Sequence, residues 1–141
     1  MEEKYFKITR QEKEDIVRRI DVFLQNHPDL LFAYVHGSFI SNDQFRDIDV
    51  AIYLKAKPTE LLQAELDLET ALYNLIKYPV DVRILNSAPL SFRYNVIKDG
   101  KRLAVINDDA RCDFEETTVS NYFDFAPYRK MYLQEALNRG V

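Results

Sequence analysis

Five residues have the types and spacing that phosphate and metal chemistry requires: Gly37, Ser38, Asp47, Asp49 and Asp81. Asp47-Ile48-Asp49 opens the run Asp-Ile-Asp-Val-Ala-Ile-Tyr-Leu (47–54), which reads as a strand. Side chains alternate faces along a strand, so Asp47 and Asp49 project together. Two carboxylates a few ångströms apart raise one another's pKa unless a cation lies between them, and strands disfavour Asp. The pair therefore asks for a divalent metal, although Asp-x-Asp alone also suits a solvated strand end. Gly37-Ser38 directly follows an apolar run, where glycine lets the backbone approach a ligand closely. A helix starting at Ser38 would aim free amides and a hydroxyl at phosphates; taken alone, Gly-Ser is more often an ordinary turn. With eight residues between Ser38 and Asp47, the two signals end and open successive strands, and together they are far more specific. Asp81 sits inside Val80-Asp81-Val82, where a buried, unpartnered carboxylate is costly. It is either a strand-edge Asp facing water or a ligand; beside the second strand it could complete a two-metal site.

The elements that must position these groups follow from periodicity. Thr9 and Glu12 form a capping box, and Ile16, Ile20, Phe23 and Leu24 recur at helical spacing, predicting a helix over 10–26 that His27-Pro28 ends. Residues 30–35 form a short apolar strand, and a polar loop, 41–44, separates Gly37-Ser38 from the second strand, 47–54. Pro58-Thr59 opens a helix over about 59–77, with Leu62, Leu66, Leu72, Leu75 and Ile76 as its expected buried stripe. Val80–Leu85 is a third strand, 89–98 a short helix ended by Gly100, 101–106 a fourth strand, and 109–138 a helical tail rich in aromatics. The order α-β-β-α-β-α-β-α argues for an α/β or α+β sheet with helices packed on it. One domain over 1–141 accommodates the whole chain.

Composition narrows the function classes. Acidic residues outnumber basic ones, for a net charge of −4, so a nucleic-acid polymer gripped through its phosphates is not the expected partner. A single cysteine, Cys112, precludes an intrachain disulfide and a thiolate metal cluster. It reads as an inert thiol. Met1–Arg10 lacks an apolar h-region, and no stretch approaches the roughly 18 apolar residues of a membrane span. The expectation is a cytoplasmic protein. His36 borders the phosphate turn and could contact nucleotide, but packing at a strand end is the favoured account of it. Arg46 and Arg83 could balance triphosphate charge or lie on the surface. Tyr122, Phe123, Phe125, Tyr128 and Tyr132 in the tail fit ordinary helix packing and a partner surface equally well.

His-Gly-Ser-Phe (36–39), Arg-Asp-Ile-Asp-Val-Ala-Ile-Tyr-Leu (46–54) and Val-Asp-Val (80–82) together resemble the minimal nucleotidyltransferases of the DNA polymerase β-like superfamily. Their pattern is Gly-Ser, Asp-x-Asp and a later single Asp. Leu85-Asn86-Ser87-Ala88-Pro89-Leu90 and the aromatic tail resemble the antitoxin subgroup, whose members pair with a small all-helical HEPN ribonuclease toxin. The resemblance spans roughly residues 30–135. It implies a nucleotidyltransferase fold with a mixed sheet of about four to five strands flanked by helices. It also implies transfer of AMP from ATP to a tyrosine of the toxin, with Gly37 and Ser38 on the phosphates and Asp47, Asp49 and Asp81 holding two Mg²⁺ ions. A homo- or hetero-oligomer is compatible with it. Two departures stand out: the loop after Gly-Ser-Phe is short and lacks Ala-Arg-Gly, and Arg46 stands where Ser is frequent. Nucleotidyl transfer to a small molecule is one rival, although such enzymes usually carry a further substrate-binding domain. The other is a non-catalytic antitoxin that neutralises its partner by binding, for which a self-repelling carboxylate cluster serves no purpose.

Overall fold

The computed structural model describes residues 4–138, with the side chains of 126–130, 132, 133 and 135–138 outside that description. The order is β1 (Phe6–Lys7), α1 (Arg10–Gln25), β2 (Leu30–His36), α2 (Ser38–Ser41), β3 (Gln44–Phe45), β4 (Ile48–Leu54), α3 (Leu61–Ile76), β5 (Val80–Ile84), a 3₁₀ turn (Leu85–Ser87), α4 (Leu90–Asp99), β6 (Lys101–Leu103) and α5 (Asp108–Asn138). The main sheet has the order β5-β4-β2-β6, and β1 pairs with β3 in a small separate ribbon. β2 runs antiparallel to β4 and β6, while β4 and β5 run parallel. This is the mixed, helix-flanked sheet of the expected fold class.

β2 and β4 divide their side chains between two cores. Val35, Val50, Ile52, Val82 and Ile84 pack with Ile16, Ile20 and Leu24 of α1 and Leu72 and Ile76 of α3. Phe32, Tyr34 and Ala51 face the other way, onto Val96 of α4 and Phe114 of α5. By strand alternation, His36, Asp49 and Asp81 belong to this second face. The α4–α5 layer is pinned there by Tyr34, whose hydroxyl donates to Glu115 at 2.6 Å. Arg102 and Arg111 also pair with Glu115, at 2.7 and 3.0 Å. Burial pushes the Glu115 carboxyl up, but hydrogen bonds from Arg102, Tyr34 and Arg111 outweigh it and hold it below the usual carboxylate range.

Local signals placed most boundaries within a residue or two. The capping box is present in both directions: Thr9 Oγ1 accepts from the Glu12 amide at 3.1 Å, and Glu12 accepts from the Thr9 amide at 3.2 Å. Three expectations need correction. Leu62 and Leu66 are exposed, at 68% and 46%; α3 packs instead through Leu61, Ala64, Leu68, Leu72, Leu75 and Ile76, a stripe rotated around the helix. β6 stops at Leu103, because Ala104 turns to a positive φ of 45°, with its amide donating to Asp21 at 2.7 Å. The helix considered at Ser38 is present as α2, but the polar loop expected over 41–44 shrinks to Asn42-Asp43, because Ser41 closes α2 and Gln44 opens β3; Phe39 and Phe45 are both fully buried. Gly100 does end α4, but with φ −87°. Its lack of a side chain matters because a Cβ there would collide with the Val96 carbonyl.

Candidate active site

The phosphate turn and the carboxylates meet at one end of the sheet's second face. β2 ends at His36, whose partner across the ladder is Asp49. Parallel pairing of β4 with β5 then sets Asp49 directly opposite Asp81. Asp47 stands one residue before β4, close enough for its charge to act on Asp49. Gly37 takes φ +79°, and a Cβ on it would run into the Asp49 carboxylate. Only glycine lets the backbone turn here and lie against that carboxylate. Ser38 begins α2, whose first amides lie beyond the reach of intrahelical acceptors. Lys13 of α1 steadies the far end of this segment, donating to the Asn42 carbonyl at 2.6 Å and lying over the Phe39 ring.

Electrostatics mark the site as a place where negative charge is under-neutralised. Burial, then the charges of Asp47 and Asp81, push the Asp49 carboxyl up from 3.8 to about 6, with Arg83 opposing. Asp81 pairs with Arg83 at 3.3 Å. Among the described residues, no three His, Cys, Asp or Glu side chains already converge in a metal-holding cluster. The donors nevertheless suit a hard divalent ion: carboxylate oxygens from adjacent strands, with Asp49 held above its ordinary range by burial and by its acidic neighbours. Arg46 is exposed.

A cavity of about 500 Å³ opens over Asp49 and Asp81, lined also by His36, Arg83 and Glu65, with an apolar wall that includes Phe92 and Pro89; Gly37, Ser38 and Asp47 lie outside its lining. Several residues that build it escaped the sequence analysis. Glu65 and Glu69 of α3 accept the amides of Ile84 at 3.0 Å and Val82 at 3.1 Å. They thereby satisfy the outer edge of β5, which would otherwise present unpaired donors. Their signal was present: like charges at i,i+4 on one helix face are unfavourable unless something receives them. Asn86 accepts from the Leu54 amide at 2.9 Å and donates to the Leu54 carbonyl at 2.8 Å. Arg93 donates to the carbonyls of Ala88 at 3.0 Å and Asn86 at 2.6 Å. The segment Leu85–Leu90 thus serves as scaffold for the cavity wall. In the tail, Tyr122 stacks on Tyr94 with centroids 3.8 Å apart, while Phe123 and Phe125 are 58% and 51% exposed. Tyr122 thus packs within the fold, and Phe123 and Phe125 lie largely exposed. The Tyr128 and Tyr132 side chains lie outside the described residues.

The family model described as polymerase beta, nucleotidyltransferase, matches residues 18–109, a span containing Gly37, Ser38, Asp47, Asp49 and Asp81. The chain belongs to that family. This nucleotidyltransferase-family chain is also similar in fold to a chain in the crystal structure of a toxin-antitoxin with AMP-PNP, at 23% identity and TM-score 0.67, covering 92% of this chain and 99% of that one. A structure of tri-AMPylated Shewanella oneidensis HEPN toxin in complex with MNT antitoxin matches at 21% identity and TM-score 0.65, with the same two coverages. The toxin-antitoxin MntA-HepT matches at 20% identity and TM-score 0.65, again over 92% and 99% of the two chains. No curated protein matches the sequence. At these identities the structural matches speak to the fold. Among the described residues, no helix of this family member is long and apolar enough to cross a membrane.

Proposed function

We propose that this protein is a Mg²⁺-dependent nucleotidyltransferase that moves AMP from ATP onto a tyrosine hydroxyl of a HEPN-type ribonuclease toxin, and so acts as its antitoxin. The observation that carries the proposal is the register of the parallel pair, Asp49 opposite Asp81, with Gly37 against the Asp49 carboxylate. Membership of the nucleotidyltransferase family supports it. So does the likeness of fold to chains from a toxin-antitoxin with AMP-PNP and from a complex of tri-AMPylated HEPN toxin with MNT antitoxin. The cytoplasm is the compartment in which such a pair would work.

Each residue has a defined task in this scheme. Gly37 allows the chain to pass close to the phosphates, and the first amides of α2 with the Ser38 hydroxyl hold them. Asp47, Asp49 and Asp81 are the metal ligands, two Mg²⁺ being the complement for three carboxylates. Bound Mg²⁺ supplies charge neutralisation at the phosphates and lowers the pKa of a coordinated hydroxyl. Asp81, on the far side of Asp49 from the phosphate turn, receives the proton of the attacking hydroxyl. The hydroxyl oxygen bonds to the α-phosphorus, the bond from that phosphorus to the bridging oxygen breaks, and pyrophosphate leaves on the Gly37–Ser38 side. Positioning and electrostatics carry such a transfer, with little covalent help from the protein.

Incubation with α-labelled ATP, Mg²⁺ and the protein encoded next to this one should place label on a tyrosine of that partner, and Asp49→Ala or Asp81→Ala should abolish it. Tight complex formation without labelling, undisturbed by Asp49→Ala, would instead establish neutralisation by contact alone.

A further inference from the structure

His36 stands at the wall between two cavities. One holds Asp49 and Asp81; the other, of about 450 Å³, is lined by Gly37, Ser41, Asn95 and Asp99. The imidazole meets Phe92 edge-on, with ring centroids 5.7 Å apart. Its Nε2 is buried, and no hydrogen-bond partner reaches it among the described residues. An imidazole nitrogen always presents either an N–H or a lone pair, so a buried one without a partner costs stability. Phenylalanine would fill the same space against Phe92 without that cost. Packing alone therefore does not account for histidine at this position, and an unsatisfied polar atom on a residue that lines two cavities is suited to a ligand.

The neighbours of His36 say which ligand. Gly37 follows it in sequence and Asp49 faces it across the ladder; in the proposed site the Gly37–Ser38 turn receives phosphates, which present only acceptors. We infer that His36 is a nucleotide-binding residue, its Nε2–H donating to a phosphoryl oxygen of a nucleoside triphosphate. This rests on the proposed nucleotidyl-transfer site and adds to it a side-chain donor beside the Gly37–Ser38 turn.

Side-chain length makes the inference testable. Glutamine carries its amide about as far from the backbone as Nε2, whereas asparagine reaches only the Nδ1 position. Calorimetric titration with ATP and Mg²⁺ should show His36→Phe and His36→Asn weakened about 10- to 100-fold, the range for one hydrogen bond to a charged group. His36→Gln should stay within a few-fold of wild type. Inorganic tripolyphosphate should show the same ranking, since the contact is to phosphate. Thermal melting establishes that each variant is folded; should His36→Phe fail to fold, the Gln and Asn pair carries the comparison. Equal ATP affinity in His36→Phe and wild type would overturn the inference. So would a Gln variant as weak as Phe or Asn, or a loss seen with ATP but not with tripolyphosphate. Wild type that binds neither ligand would overturn the nucleotide site itself, a separable result.

Discussion

Replacing Asp49 by asparagine should stabilise the metal-free protein at pH 8, the opposite of what removing a buried hydrogen-bonding group usually does. Burial and the charges of Asp47 and Asp81 raise the native Asp49 pKa from 3.8 to about 6. A shift of about 2 units corresponds to roughly 3 kcal/mol. Asp49 borders an open cavity, so solvent screening reduces this to about 1.5 kcal/mol. At about 2.1 cal/mol/K per residue of unfolding entropy, 141 residues convert that figure to a rise in Tm of about 5 °C. The sign follows from proton linkage: a native pKa above the unfolded one means stability that is complete below pH 3.8 and lost as pH rises through 6. Asparagine does not undergo that loss. The gap between variant and wild type should therefore be widest above pH 7 and close toward pH 4. Other acids, such as Glu115, titrate alike in both proteins and cancel in the difference. Circular-dichroism melts in EDTA from pH 4 to 8 measure it. Adding ATP with Mg²⁺ should reverse the order, because only the wild type gains the ligand's stabilisation. A pH-independent gap, or an asparagine variant less stable at pH 8, would show that Asp49 is not held under electrostatic strain.

Three further outcomes are expected. Gly37→Ala forces a side chain into φ +79° and against the Asp49 carboxylate; urea denaturation should show a loss of about 2–3 kcal/mol. Lys77 ends α3 in the left-handed region at φ 65°, so Lys77→Gly should gain about 0.5–1 kcal/mol in the same assay and leave nucleotide binding unchanged. Tyr34→Phe removes the 2.6 Å bond to Glu115 while the Arg102 and Arg111 pairs remain. It should cost about 1–2 kcal/mol, with hydrogen exchange rising first in α5.

Much of this molecule was legible in its sequence because the signals are local. The Thr9–Glu12 box, the apolar runs of β2, β4 and β5, and the punctuation by Pro28 and Gly100 act over two to four residues, and the elements formed where they pointed. Alternation within a strand likewise put Asp49 and Asp81 on the face opposite Val50 and Val82. Where local signals were ambiguous, they misled: the α3 sequence is rich enough in leucine to offer more than one apolar stripe, and packing chose the one that left Leu62 and Leu66 outside. α2 and β3 are too short to announce themselves by period. Their existence depends on Phe39 and Phe45 finding a place in the core.

Residue types and spacing within each segment thus determined which groups could serve phosphate and metal, and on which side of their strands they lie. Only the tertiary structure decided that β4 and β5 run parallel in the register that sets Asp49 against Asp81. It also decided that Gly37 turns against the same carboxylate, and that Phe92 and Pro89 from a later segment roof the cavity. The physical reason is range. Dihedral preference and hydrophobic period are set by neighbours along the chain, whereas pairing, burial and the charge felt by Asp49 come from residues that meet only once the helix between the strands has packed.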